Sequence, residues 1–164
     1  MENHIVLLEP EIPQNAGNIS RTCAVTGTHL HFVGKLGFSL SDRYLKRAGL
    51  DYWPFLKHSS WDTLDELLEA YADMPTFYTS TKAPRDYCQA YYGGGPCMFI
   101  FGKETAGLPE ALLKAHWRQA VRIPMIEGTR SLNLSNSVAI VLYEALRQQG
   151  FPGLQSVGAG LGDI

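Results

Sequence analysis

The chain has 164 residues, 45% of them hydrophobic and 18% charged, with 14 Lys and Arg against 16 Asp and Glu for a formal net charge of −2. This is the composition of one globular domain able to bury a core without disulfides or a structural metal, and it excludes a disordered chain and a globally basic nucleic-acid binder. Any contact with nucleic acid must come from a local patch, or from one doubled by dimerisation. In chain order, residues 5–8 (Ile-Val-Leu-Leu) form a short continuous apolar run of the kind buried on both faces of a sheet. Pro10 and Pro13 break it, and a helix is predicted over 16–26, closed by Gly27. Residues 29–33 read as a second strand. Ser41 or Asp42 can cap a short helix through Arg47 that stops at Gly49. A strand is predicted at 55–58, after which Ser60 caps a helix over 61–72, with Leu64, Leu67, Leu68 and Tyr71 at helical spacing. Two β-rich runs, 76–81 and 97–101, flank a loop holding Gly93, Gly94 and Gly95. A helix over 109–115 takes Pro109 as its first residue, and 121–124 is a last short strand. The final helix starts near Asn133 and carries Leu134, Val138, Val141, Leu142 and Ala145 on one stripe.

Alternating strands and helices predict an α/β fold, a mostly parallel sheet with helices on both faces. Residues 1–152 are expected to form one domain, and 153–164 a Gly-rich, mobile tail. No apolar run approaches the roughly twenty residues of a membrane span, and the first residues lack a signal-peptide pattern. Cys23, Cys88 and Cys97 form no CxxC pair and no zinc spacing, which suits reduced cysteines in the cytoplasm. His29 and His31 share one strand face but have no third partner in sequence, so no metal site is expected.

Ligands of such sheets sit beyond the carboxyl ends of the strands, which directs attention to residues 9–17, 79–84, 102–108 and 124–133. In the first loop, Asn15 and Gly17 stand where a strand turns into a helix, and free backbone N–H groups there could meet an anion. Arg21 follows one to two turns later with a fork suited to phosphate or carboxylate. The same residues also suit an ordinary helix cap and a surface arginine. In residues 101–109, FGKETAGLP, two glycines bracket Glu104, so that the backbone can approach a flat ligand. The segment is neither GxGxxG nor a phosphate loop. In residues 123–137, Ser131, Asn133, Ser135, Asn136 and Ser137 alternate with leucines, more polar groups than one helix cap needs.

Taken together, NxGNxxR from Asn15 to Arg21, FGxExxGL from Phe101 to Leu108, and SLNxS from Ser131 to Ser135 resemble the three motifs of the SPOUT superfamily of RNA methyltransferases. EPEIPQNAGNISR, RAGLDYW and RSLNLSNSVAIVLYEALRQ are similar to the small tRNA wobble-position (cytidine/uridine-34) ribose 2′-O-methyltransferases, the TrmL/YibK group, over residues 3 to about 152. The resemblance implies a C-terminal trefoil knot, a rare exception to unknotted chains, and S-adenosylmethionine as methyl donor. Carried onto this chain, the donor site would be Thr79, Gly102, Ile123, Ser131 and Leu132, with Asn133 alongside, and the glycines at 102 and 107 would leave room for the bent ligand. Arg21 would be the motif residue at the reacting hydroxyl, with Asn15, Glu104, Ser131 and Asn133 around it. The resemblance further implies a homodimer with active sites drawing on both subunits, which fits the apolar run 138–143 of the last helix.

For tRNA itself, Arg43, Lys46 and Arg47 share one predicted helical face, with Lys35 before them, and Arg130 adjoins the third motif. A solvated face is the competing reading of the trio. The alternatives to a tRNA enzyme are a ribose methyltransferase of ribosomal RNA, a non-catalytic RNA-binding module and a nucleotide-binding domain of another class.

Overall fold

A computed structural model describes residues 2–40, 52–155, 157, 158 and 160. Six strands, β1 (His4–Leu8), β2 (His29–Val33), β3 (His58–Trp61), β4 (Thr76–Thr79), β5 (Met98–Phe101) and β6 (Ala120–Val121), form one sheet in the order β3-β2-β1-β5-β4-β6. Every pairing is parallel. Among the described residues four α-helices cover it: α1 (Pro13–Thr26), α2 (Leu64–Ala70), α3 (Glu110–Ala115) and α4 (Leu134–Gln148). Period-two alternation along the central strands sends side chains to both faces. Ile5, Leu7, Phe99 and Phe101 pack with Ile19 of α1 and Val138, Val141 and Leu142 of α4. Val6, Met98 and Ile100 pack on the other face with Leu67 of α2 and Leu113 of α3. The expected mostly parallel α/β sheet with helices on both faces is thus the fold observed.

Several boundaries differ from expectation. The first helix begins at Pro13 rather than near residue 16, because proline at its first turn needs no N–H partner. Its end is as read: Gly27 takes the left-handed conformation at φ 67° and its N–H meets the carbonyls of Ala24 and Cys23. The strand expected at 55–58 is instead a 3-10 turn, Trp53–Phe55, followed by β3 at His58–Trp61. As an edge strand, β3 needs no continuous apolar run, so the hydrophobicity of 55–58 pointed one element too early. Ser60 therefore lies in β3, and the cap of α2 is Thr63, in a capping box with Glu66. Pro109 is the N-cap of α3, not its first residue, and the last strand is Ala120–Val121 rather than 121–124. The helix expected from Ser41 or Asp42 through Arg47 lies outside the described residues, as does half of the tail.

The order of strands positions the site. The chain lays down β1, β2 and β3 outward in one direction, then returns on the other side with β4 and inserts β5 between β1 and β4. Connections leaving β1 and β5 diverge there, opening a crevice at the carboxyl ends of the strands.

Candidate active site

The crevice is a cleft of 420 Å³ lined from four loops, within the range of ordinary small-molecule sites. Thr79, Gly102, Ile123, Ser131 and Leu132 all line it, together with Asn15, Glu104 and Asn133. Leu108, Val121 and Leu134 supply apolar wall, and Ser80, Thr81 and Lys82 a polar one. Lys82 escaped the sequence reading, although it lies in the flagged 79–84 loop directly after β4.

Glu104 ties the loops together. Its carboxylate accepts from the backbone N–H groups of Glu11 at 2.9 Å and Ile12 at 3.1 Å, and from Asn15 Nδ2 at 3.0 Å. Asn15 Oδ1 in turn accepts from Asn133 Nδ2 at 2.9 Å. Asn133 Oδ1 then caps α4, accepting from the N–H of Ser135 at 2.9 Å and from the Ser135 hydroxyl at 2.6 Å. The exchange is reciprocal, since Glu11 accepts from the Thr105 hydroxyl at 2.8 Å and its N–H at 3.2 Å. Lys103 pairs with Glu9 at 2.7 Å beside them, and that carboxylate holds the lysine pKa above its usual value. Three motifs far apart in sequence are therefore one hydrogen-bonded unit.

This geometry corrects two expectations. Of the amides leading into α1, those of Glu11 and Ile12 are not free to receive an anion, because Glu104 already occupies them. Asn15 itself is buried inside the first turn of α1. Gly102, moreover, is required by the protein's own backbone and not only by a ligand. A Cβ there would stand 2.3 Å from the carbonyl carbon of Gly107 and 2.4 Å from the nitrogen of Leu108. Gly107, at φ 67°, makes the return turn that brings this backbone so close.

Other committed groups leave a shorter list of free ones. The Thr79 hydroxyl donates to the carbonyl of Ile100 at 2.8 Å, so its role at the cleft is backbone and shape. Ser131 is exposed at the cleft, and its hydroxyl has no partner among the described residues. Arg21 does not line the cleft of its own chain. It lies exposed on α1, with Nη2 donating to the Tyr52 hydroxyl at 2.8 Å. Arg130 is likewise exposed and outside the lining. Arg43, Lys46 and Arg47 lie outside the described residues.

The opposite end of the sheet holds a second polar cluster that sequence reasoning missed. Parallel pairing sets His4 beside His29 in register, supplying the third histidine that His29 and His31 were expected to lack. The ligating nitrogens of the three lie within 4.8 Å of one another. The rings are stacked, however, with planes within 17° of parallel, and nitrogens in parallel planes do not converge on one ion. They are also engaged. Trp61 Nε1, which can only donate, gives its proton to His31 Nδ1 at 3.0 Å. The ring proton of neutral His31 must then sit on Nε2, 2.8 Å from His4 Nδ1. Burial, then the neighbouring His29, pushes His4 down to about 4, and burial with His29 and His4 pushes His31 down to about 3. His4 and His31 are neutral rings packed against Tyr71.

Residues 2–143 match the profile of the SpoU rRNA Methylase family. The chain belongs to that family. Among its relatives, a Listeria innocua protein provisionally named a tRNA (cytidine(34)-2′-O)-methyltransferase is 52% identical over 156 residues, covering 94% of this chain and 92% of its own. A structure solved to give insight into the 2-OH methylation of C/U34 on tRNA superposes with a TM-score of 0.85 at 42% identity, over 91% of this chain and 97% of that one. An AdoMet-bound rRNA methyltransferase from Sinorhizobium meliloti gives a TM-score of 0.80 at 25% identity, over 89% of this chain and 56% of that one.

Proposed function

We propose that this SpoU family chain is a methyltransferase that uses S-adenosylmethionine to methylate the ribose 2′-hydroxyl of the wobble nucleotide, cytidine or uridine 34, of tRNA. The observation that carries the reading is the joined unit of Glu104, Asn15 and Asn133 beside a cleft at the sheet's switch point. The near full-length similarity to proteins named for C34 and C/U34 methylation favours tRNA over ribosomal RNA.

The residues present fit the donor. Apolar Leu108, Ile123 and Leu132 can enclose an adenine ring, while Gly102 and the backbone at Thr79 and Ile123 offer groups close to it. S-adenosylmethionine supplies a methyl group on a sulfonium. The ribose oxygen forms a bond to that carbon as the carbon–sulfur bond breaks, leaving S-adenosylhomocysteine, and the hydroxyl proton passes to an acceptor. Such a displacement depends on alignment more than on covalent help. Glu104, Asn15 and Asn133 act by position, since their polar groups are engaged with one another and with the backbone. Ser131, whose hydroxyl has no partner among the described residues, faces the donor. Arg21 orients a phosphate and polarises the hydroxyl, because a guanidinium keeps its protons and is a poor base.

On this reading residues 1–152 are one methyltransferase domain whose C-terminal part threads a trefoil knot, and residues 153–164 are a tail. The protein works as a cytoplasmic homodimer. No helix of the described residues is long and apolar enough to cross a membrane. Two observations support shared active sites: Arg21 is absent from its own chain's cleft, and Tyr143 of α4 and Val25 of α1 are 46% and 51% exposed. Arg43, Lys46, Arg47 and Arg130 provide the charge that meets tRNA.

The test is to incubate pure protein with labelled donor and total RNA and to map ribose methylation. Label at position 34 of particular tRNAs is expected. Label confined to ribosomal RNA, or none, would overturn the reading, and a monomer in sedimentation at micromolar concentration would overturn the dimer.

A further inference from the structure

We propose that Tyr52 is the positioning residue for Arg21, an inference that rests on the reading of Arg21 as the group acting on the RNA. The Tyr52 hydroxyl accepts from Arg21 Nη2 at 2.8 Å, and the guanidinium carbon lies 4.6 Å from the centroid of the Tyr52 ring. One aromatic side chain thus fixes the fork twice, at its edge and across its face. Among the described residues, no ion pair involves Arg21. The choice of partner has a chemical consequence. A carboxylate would also hold the arginine, but it would neutralise it and compete with an incoming phosphate. A phenol orients the guanidinium and leaves its charge available.

Tyr52 is itself held. Its carbonyl accepts from the N–H of Phe55 at 2.9 Å, opening the Trp53–Phe55 turn, which Leu56 N–H closes onto the carbonyl of Trp53 at 3.2 Å. Trp53 packs against His58 at 4.9 Å between ring centroids and against the core beneath α1. A long, exposed arginine is in this way referred to the rigid sheet through one aromatic residue, which is the support a catalytic cation on a solvent-facing helix needs.

The experiment is a double-mutant cycle on the full chain, read by single-turnover methylation of saturating tRNA, donor affinity and thermal melting. Arg21→Ala is expected to lower turnover by roughly a hundredfold with donor affinity unchanged. Tyr52→Ala should lower it by about thirtyfold and Tyr52→Phe, which keeps the ring, by about fivefold, again without change in donor affinity. In the Arg21→Ala background each Tyr52 change should add less than about twofold, because its object is gone. Near-wild-type turnover in Arg21→Ala would defeat the reading of Arg21 itself. Loss in Arg21→Ala with full turnover in Tyr52→Ala, or effects that multiply in the double variant, would overturn the role of Tyr52 alone. Should Tyr52→Ala melt below the assay temperature, the cycle run with Tyr52→Phe decides by the same criteria.

Discussion

The two ends of this sheet each gather a polar network, and they gather it differently. At the carboxyl end, Glu104, Asn15 and Asn133 come from three loops, and their hydrogen bonds border an open cleft. At the amino end, His4, His29 and His31 come from two adjacent strands, in register, with Trp61 and Ser59 of a third closing the group. Strands paired in parallel leave no gap between their side chains, whereas the loops beyond β1 and β5 must part because the chain leaves them in opposite directions. A cluster of titratable residues is therefore a poor guide to function unless the topology also opens space beside it. By that standard the carboxyl end is the candidate site, and the histidines belong to the core.

The comparison breaks most readily at Glu104. Glu104→Ala strips acceptors from two backbone amides and the Asn15 side chain. Hydrogen bonds to a charged group are worth about 1.5–3 kcal/mol each, so a loss of about 4 kcal/mol in denaturant unfolding is expected. Donor affinity should fall with it, as the loops come apart. Glu104→Gln keeps one acceptor oxygen and should fall between. Unchanged stability and donor affinity in Glu104→Ala would mean that the loops hold together by packing alone.

Next in size is the response to acid, which belongs to the amino end. His4 and His31 are held neutral at about 4 and about 3, against 6.5 for a free histidine. Between those values the unfolded chain binds more protons than the folded one, so stability rises with pH there. The contribution of the neutral rings is complete above pH 6.5 and is lost as the pH falls toward 4. Each pH unit of depression is worth about 1.4 kcal/mol, which gives on the order of 3 kcal/mol lost by pH 4 from His4 alone. Urea titrations from pH 7.5 to 4 should show this slope, and a flat profile would mean that the histidines are charged or exposed when folded.

What was legible in the sequence follows the same division. The residues of the carboxyl end could be found because each motif is contiguous, and Asn15, Glu104, Ser131 and Asn133 do converge. What Glu104 does there could not be read, since its partners are backbone amides about ninety residues away. The central strands declared themselves as apolar runs, while β3 did not, because an edge strand with His58, Ser59 and Ser60 has little to bury. His4 was invisible as a cluster member until the register of β1 on β2 was known. Tyr52 lies 31 residues from Arg21, and no spacing in the sequence shows that the two side chains meet.

A smaller effect is expected at Gly102, where the sequence suggested space for a ligand and the structure shows the loop's own backbone. Gly102→Ala forces the Gly107–Leu108 peptide outward. Overpacking of this kind costs about 1–3 kcal/mol, so thermal stability and donor affinity should fall together. Weaker donor binding at unchanged stability would restore the view that the ligand alone requires the glycine.

The smallest expected effect is the sharpest check on the comparison. His29 is the least buried member of the histidine cluster, stacked on His31 at 4.2 Å and bonded to the Ser59 hydroxyl at 2.7 Å. Glutamine in its place can keep a bond to Ser59 while removing the stacked ring. At pH 7.5, His29→Gln should change stability by no more than about 0.5 kcal/mol and methylation by less than about twofold. Its signature should appear in acid. A positive charge on His29 helps to hold down both His4 and His31, so without it their pKa values rise toward 6.5. The folded chain then accepts protons earlier, and the loss of stability between pH 6.5 and 4 becomes shallower than in the unaltered protein. A tenfold loss of methylation at pH 7.5 in a variant that stays folded would contradict the division drawn between the two ends, for it would show the amino-end histidines acting on a reaction assigned to the other side of the sheet.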